Sequence, residues 1–206
     1  MNTIRMHASQ ISPSKIICVG RNYVEHIAEL HNEVPENMVV FVKPNSAIGS
    51  CLHAFHGGEP LHYECELCFL VENGQYAALG VGLDLTKRDL QSKLKNKGLP
   101  WERAKGFDGA ALFSEFISIP ADLELNELSF ELLINGTPIQ AGDPSLMMYK
   151  PQQILNEINT FMHMDDGDVI MTGTPKGVGL VQPGDQFLAR LRYQGKIWIE
   201  KLWIAG

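Results

Sequence analysis

The stretch His62-Tyr63-Glu64-Cys65-Glu66-Leu67-Cys68-Phe69-Leu70 decides how the rest of the chain is read. Side chains alternate between the two faces of a strand. Tyr63, Cys65, Leu67, Phe69 and Val71 then form one apolar face, and Glu64 and Glu66 share the other. Strand rise sets two such carboxylates on the order of 6–7 Å apart. Carboxylates held that close repel, and burial worsens the repulsion unless a cation sits between them. Hard divalent cations such as Mg²⁺ take oxygen ligands from a few carboxylates and keep waters that a substrate can displace. Alternation alone fits a solvated face equally well, so the neighbouring sequence has to decide. Glu72-Asn73-Gly74 signals a hairpin turn, and Tyr76 to Leu83 runs back from it. Asp84 thus ends a strand that pairs with the first, where a third carboxylate can converge on Glu64 and Glu66.

The whole chain bounds the reading. Its 206 residues fit one domain spanning 1–206, with enough chain for a real core. A composition of 45% hydrophobic and 20% charged residues is that of a globular protein. A net charge of −7 argues against a nucleic-acid partner. No run approaches the ~20 apolar residues of a membrane helix, and Met1 to His7 carries no apolar signal-peptide core. Cys18, Cys51, Cys65 and Cys68 are too few for a disulfide scaffold and are expected as reduced thiols in the cytoplasm. Cys65-x-x-Cys68 has the spacing of half a zinc site or a redox pair, but a strand points the two thiols to opposite faces and no second pair exists.

Lys15 to Val19 reads as a buried strand. Asn22 followed by Glu25 predicts a capping box, and Tyr23, Ile27 and Leu30 predict the apolar stripe of the helix it opens. His26 and Glu29 fall on one face of that helix. A carboxylate beside an imidazole orients it and favours its charged form, as a water-activating base requires; the alternative is a surface pair. Val39 to Val42 is a strand stopped by Lys43-Pro44-Asn45, and His53 and His56 are loop residues. Thr86 with Asp89 predicts a second capping box, opening a helix through about Asn96 that ends at Gly98 and Pro100. Lys87, Arg88, Lys93, Lys95 and Lys97 make this the most basic segment, normally a solvated face; Arg88 and Gln91, one turn apart, could instead face an anion. Lys105 lies in a Gly-flanked irregular stretch, as either a solvated charge or an oxyanion stabiliser.

Leu128, Phe130, Leu132 and Ile134 alternate into the hairpin signal Asn135-Gly136. Pro151, Ile154, Leu155, Ile158, Phe161 and Met162 predict an amphipathic helix. The strand Val169 to Thr172 runs into Gly173-Thr174-Pro175-Lys176-Gly177-Val178-Gly179, which lacks the spacing of a nucleotide P-loop but can bring backbone N–H groups to an anion. Many strands and hairpin turns with few helices predict a mainly β, α+β domain.

Taken together, the motifs resemble the fumarylacetoacetate hydrolase superfamily, in its short acylpyruvate hydrolase and oxaloacetate decarboxylase-like branch. They are Cys18-Val19-Gly20-Arg21-Asn22-Tyr23, His26-x-x-Glu29, His62-Tyr63-Glu64-x-Glu66, Leu83-Asp84-Leu85-Thr86-x-Arg88-Asp89-x-Gln91, Gly98-Leu99-Pro100-Trp101 through Lys105-Gly106-Phe107, and Gly167-Asp168-Val169-Ile170-x-Thr172 through Gly179. They run in family order over nearly the whole chain. The resemblance implies a mixed β-roll and a homodimer. It implies Mg²⁺ or Mn²⁺ held by Glu64, Glu66 and Asp84. It maps a catalytic dyad onto His26 and Glu29 and an oxyanion lysine onto Lys105. Arg21, Arg88, Gln91 and Thr174 fall where the family holds a substrate's carboxylate and oxo groups. The leading expectation is hydrolytic C–C cleavage of an acylpyruvate such as fumarylpyruvate or acetylpyruvate, releasing pyruvate. Oxaloacetate decarboxylation or keto–enol tautomerisation is the alternative, and a non-catalytic 2-oxo-acid or metal-binding protein the third reading. Residues 22–37 are a lid candidate.

Overall fold

The computed structural model describes residues 1–29 and 34–206. The elements that position the site are β1 (Lys15–Gly20), α1 (Val24–Glu29), β2 (Val39–Pro44), β3 (Cys65–Glu72), β4 (Gln75–Asp84), α2 (Arg88–Asn96), α3 (Glu102–Lys105), β5 (Ala111–Phe113), β6 (Leu128–Ile134), β7 (Thr137–Gly142), α4 (Pro151–Ile158), β8 (Val169–Met171), β9 (Gln186–Tyr193) and β10 (Lys196–Ile204).

One sheet runs β5-β4-β3-β8-β1-β2, with a short strand at Ile117–Ser118 added to β4. It is mixed: β8 and β1 pair in parallel, and the other neighbours are antiparallel. A second sheet, β7-β6-β9-β10, is antiparallel throughout. The expected mainly β, α+β class with a curled mixed sheet is the class observed. Hairpins join the long strands where the sequence placed them. Asn73-Gly74 and Asn135-Gly136 adopt positive φ at both positions, as does Gln194-Gly195, the conformation that matches the twist of two-residue hairpins.

The apolar face of β3 holds as far as Phe69. Tyr63, Cys65, Leu67 and Phe69 pack with Leu132, Phe187 and Leu191 of the second sheet, while Cys68 and Leu70 pack on the opposite side with Ile16 and Met171. A bulge between Leu70 and Val71 breaks the alternation, and Val71 turns to a third cluster under α4. Cys65 and Cys68 therefore face different cores. No helix among the described residues is long and apolar enough to cross a membrane.

Three local expectations fail for physical reasons. Asn22 does not cap α1, which begins at Val24; it is buried, donating to Tyr149 O and Thr172 O and accepting from Tyr149 N. Thr86 does not cap α2, whose cap position is Lys87; its hydroxyl serves the site described below. Helix α4 ends at Ile158, leaving Phe161 exposed beyond it. The stripe residue Leu30 and part of the 22–37 lid candidate lie outside the described residues.

Candidate active site

Glu64 sits just before β3, and Asp84 ends β4. The Asp84 N–H donates to Glu64 O at 2.8 Å, so strand pairing itself sets the two residues side by side. Glu66, two residues on, shares their side. Carboxylate oxygens of Glu64, Glu66 and Asp84 all lie within 4.8 Å of one another, and all three residues are buried. Gly82 faces Glu66 across the strand pair. A Cβ there would meet Leu112 O at 2.8 Å and Cys68 Sγ at 2.9 Å, so glycine is what lets the strands close behind the carboxylates.

Cations meet this cluster from three elements. Lys105, at the end of α3, donates to Asp84 Oδ2 at 2.7 Å, Glu64 Oε2 at 2.9 Å and Thr86 Oγ1 at 2.6 Å, which uses all three ammonium protons. Arg88, opening α2, bonds Glu64 Oε1 through Nη2 and Gln91 Oε1 through Nη1 at 2.7 Å. Lys43, on β2, is fully buried. Its Nζ lies 2.8 Å from Asp84 Oδ1 and donates to Ala110 O at 3.0 Å and to Lys105 O. Three carboxylates thus meet three cations in one largely buried cluster.

The cluster separates the acids. Burial opposes the charge on Glu64, but Lys105, Arg88 and His26 outweigh it and hold its carboxyl well below the usual range. Burial pushes the Glu66 carboxyl well above that range, and Asp84 and Glu64 push it further, against the N–H of Gly173. That N–H donates to Glu66 Oε2 at 2.7 Å. Gly173 has φ +98°, and a Cβ there would lie 2.8 Å from Asn22 Cβ. The Gly-rich loop thus brings a backbone donor to a carboxyl side chain of the site. Burial opposes protonated Lys105, but Asp84 and Glu64 outweigh it and raise its pKa.

His26 is buried on α1. Its Nδ1 lies 3.2 Å from Glu29 Oε2; a carboxylate only accepts, so Nδ1 carries the proton and Nε2 is the nitrogen available to a ligand. Glu29 Oε1 in turn accepts from Gly177 N at 2.9 Å, tying the helix to the Gly-rich loop. His26, Arg21, Arg88, Gln91, Thr174 and Lys105 line one pocket with the three acids, closed on its apolar side by Val19, Phe41 and Trp101. Glu29 stands behind His26. Thr174 donates its hydroxyl to Cys65 O at 2.8 Å and accepts from Gln140 Nε2 at 2.9 Å. Arg21 holds φ 56°, a conformation non-glycine residues adopt at a cost.

Of the residues singled out in the sequence, Arg21, His26, Glu64, Glu66, Asp84, Arg88, Gln91, Lys105 and Thr174 line this pocket, and Glu29 meets it through His26. Two further cations lie at the site. Lys43, which closes the apolar run Val39 to Val42, is buried against Asp84, and that place in the run is the sequence's hint of its burial. Lys95, within the basic run, lines the pocket; its signal is the spacing Arg88, Gln91, Lys95, which is one helix face. Oxygen-only donors, buried and mutually repelling at Glu66, fit a hard divalent cation such as Mg²⁺ or Mn²⁺.

The chain is similar to known proteins in sequence and in fold. Residues 15–198 match the family described as Fumarylacetoacetate (FAA) hydrolase C-terminal. A protein of Schizosaccharomyces pombe named oxaloacetate tautomerase oaa1, mitochondrial, is 37% identical over 197 residues, covering 86% of this chain and 88% of its own. The crystal structure of a candidate fumarylacetoacetate isomerase/hydrolase from Oleispira antarctica superposes with a TM-score of 0.92 at 32% identity over 100% of both chains. That of fumarylpyruvate hydrolase from Pseudomonas aeruginosa, in complex with Mn²⁺ and pyruvate, gives a TM-score of 0.88 at 26% identity over 99% of this chain and 95% of its own.

Proposed function

This chain belongs to the fumarylacetoacetate hydrolase family, and from that premise we propose that it is a divalent-metal-dependent enzyme of small 2-oxo acids whose principal reaction is keto–enol tautomerisation of oxaloacetate. The observation that carries the reading is the buried Glu64, Glu66 and Asp84 cluster, with Lys105 bonded across it and His26 on the same pocket wall. The relative named oxaloacetate tautomerase supports the choice of substrate. Glu64, Glu66 and Asp84 would hold the cation, which when bound supplies Lewis acidity toward the 2-oxo group.

The chain's own groups account for the proton movements. Arg21 and Arg88 supply positive charge for the substrate carboxylate, and Gln91 fixes the fork of Arg88. Lys105, whose protons are bonded to Asp84, Glu64 and Thr86, steadies negative charge on the C2 oxygen through its positive charge as the enol O–H proton leaves. His26 Nε2 takes the enol O–H proton and then delivers a proton to C3, where the C2–C3 double-bond pair accepts it and leaves the C2 ketone. Glu29 holds the imidazole in the tautomer this needs. Val19, Phe41 and Trp101 keep water from the carbanionic carbon.

One observation favours a second reaction, acylpyruvate hydrolysis. The Glu29–His26 contact is the arrangement of a water-activating base. There His26 would deprotonate water, the hydroxide would add to the distal carbonyl carbon C4, and Lys105 would steady that oxyanion by its charge; as the oxyanion re-forms a carbonyl the C3–C4 bond would break, its electron pair would leave on C3, and C3 would take the proton from His26 to give pyruvate and a carboxylic acid. The proposal includes a homodimer in the cytoplasm, where the four free cysteines would stay reduced.

The test is a Mg²⁺-dependent assay of enol loss from oxaloacetate, beside pyruvate release from acetylpyruvate, fumarylpyruvate and oxaloacetate. Enol loss should be the fastest reaction, and His26→Ala should slow it by about 10²–10⁴-fold without loss of Mn²⁺ binding. Faster pyruvate release from an acylpyruvate would hand the principal reaction to the hydrolytic reading. Acceleration of none of these would overturn both.

A further inference from the structure

We infer that Gln140 is a positioning residue of the metal centre: its amide fixes the backbone between Glu64 and Glu66 and, through the Gly-rich loop, the two N–H groups that meet Glu66 and Glu29. The inference rests on the reading of Glu64, Glu66 and Asp84 as metal ligands. It adds a residue of the second sheet on which metal affinity depends.

The strand ladder leaves a gap at Cys65. The Asp84 N–H bonds across to Glu64 O on the β4 side, so the N–H and C=O of Cys65 point to the opposite edge of β3. There β8 pairs with β3 from Leu70 to Cys68, and Thr172 N still reaches Leu67 O at 3.1 Å. Gly173 then turns the chain away at φ +98°. Cys65 is fully buried, and buried backbone groups need partners. Gln140 Oε1 accepts from Cys65 N at 3.0 Å, and Cys65 O accepts from the Thr174 hydroxyl at 2.8 Å. Gln140 Nε2 closes the ring, donating to Thr174 Oγ1 and to Pro175 O, both at 2.9 Å. Two side chains thus stand in for a strand at the residue that separates Glu64 from Glu66.

A bulge delivers Gln140 to this place. Leu132 pairs with Gln140 and Leu133 with Pro138, so Ile139 is the extra residue of β7. Ile139 is exposed and Gln140 is buried; without the extra residue, alternation would exchange them. The loop that Gln140 holds serves both halves of the site. Gly173 N, just before Thr174, donates to Glu66 Oε2 at 2.7 Å. Gly177 N, just beyond Pro175 and Lys176, donates to Glu29 Oε1 at 2.9 Å, behind His26. Gly177 also rests on β7, where a Cβ would collide with Ile139 O and come 3.2 Å from Gln140 Cγ. Both amide protons and the amide oxygen of Gln140 are used in these bonds. Gln140 stands behind the residues that line the pocket, so it holds them and does not touch the substrate.

The experiment is calorimetric titration of Mn²⁺ into chelator-stripped, substrate-free protein, beside amide hydrogen exchange of the metal-free protein read by mass spectrometry. It uses the wild type, Gln140→Met, Thr174→Val, Thr174→Ser and, as a control in the core of the same sheet, Leu191→Ala. Gln140→Met keeps the side chain's length and removes its bonds. It should weaken Mn²⁺ binding by about tenfold or more, the loss typical of an outer contact of a metal site. It should also speed exchange selectively at residues 64–66 and 173–177. Thr174→Val opens the same ring and should act alike, while Thr174→Ser keeps the hydroxyl and should stay near the wild type. Leu191→Ala removes more packing but should leave Mn²⁺ affinity unchanged. Unchanged affinity or unchanged local exchange in Gln140→Met, or an equal loss of affinity in Leu191→Ala, would overturn the inference. If Gln140→Met fails to fold, Thr174→Val against Thr174→Ser decides by the same readings. A wild type that binds no Mn²⁺ would defeat the metal reading and this inference with it. Mn²⁺ binding that is lost in Glu66→Gln but untouched by Gln140→Met would defeat this inference alone.

Discussion

Replacing Lys43 by methionine removes a charge while keeping most of the side chain's volume, so the cavity contribution is small. What is lost is electrostatic. Lys43 is fully buried, and its Nζ stands 2.8 Å from Asp84 Oδ1. Breaking a buried pair by removing one partner costs about 3–5 kcal/mol, because the remaining charge is left in a dry site. Lys105 still pairs with Asp84 Oδ2 at 2.7 Å, which places the electrostatic loss at the low end of that range. Ala110 O keeps the Leu85 N–H at 2.9 Å, and Lys105 O loses the Lys43 donor; one lost buried bond adds about 1 kcal/mol. The expected destabilisation is about 3–4 kcal/mol, a fall of roughly 1.5–2 M in urea midpoint for a slope near 2 kcal/mol/M. The assay is urea unfolding in chelator at fixed protein concentration, which holds any assembly equilibrium constant. Adding Asp84→Asn should return about 1–3 kcal/mol, since the stranded charge is then gone. A loss under about 1 kcal/mol, or single effects that add within about 0.5 kcal/mol, would refute the reasoning.

Further outcomes follow from the same contacts. Gly173→Ala should lower turnover by about tenfold or more and destabilise the protein by about 2 kcal/mol, because φ +98° and the 2.8 Å approach to Asn22 Cβ both forbid the methyl; activity and urea unfolding of the variant check this. Burial opposes the charge on Asp168, but hydrogen bonds from Lys15, Ser14 and the backbone of Asp165 and Lys15 outweigh it and hold its carboxyl below the usual range. Its stabilising contribution is complete above the ordinary aspartate pKa and is lost as pH falls through the lowered folded value. The acid limb of the stability profile should therefore flatten in Asp168→Asn.

The sequence was most informative where short-range rules act alone. Asn73-Gly74 and Asn135-Gly136 specify turns from their own backbone preferences, and the first of these hairpins carries Asp84 back to Glu64. Period-two alternation found the apolar face of β3 as far as Phe69, then failed at a bulge that has no sequence signature of its own. Capping rules failed at Asn22 and Thr86 because distant partners compete for the same polar atoms. Tyr149 and Thr172 take the side chain of Asn22, and Lys105 takes the hydroxyl of Thr86. Lys43 was illegible for a related reason. Its burial depends on backbone acceptors at Lys105 and Ala110, more than sixty residues away in the chain. Lys95 was legible in principle, as the third residue of a helical face already marked by Arg88 and Gln91.

The central claim is that Glu64, Glu66 and Asp84 bind the metal on which turnover depends. Titrating Mn²⁺ into chelator-stripped protein, with paramagnetic resonance reporting free ion and the enol-loss assay run on the same samples, tests it most directly. Binding and activity should rise together to one Mn²⁺ per chain, and Glu66→Gln should weaken both by about 100-fold or more, beyond the loss typical of an outer-sphere change. Full activity in stripped protein, or Mn²⁺ affinity unchanged by Glu66→Gln, would contradict it.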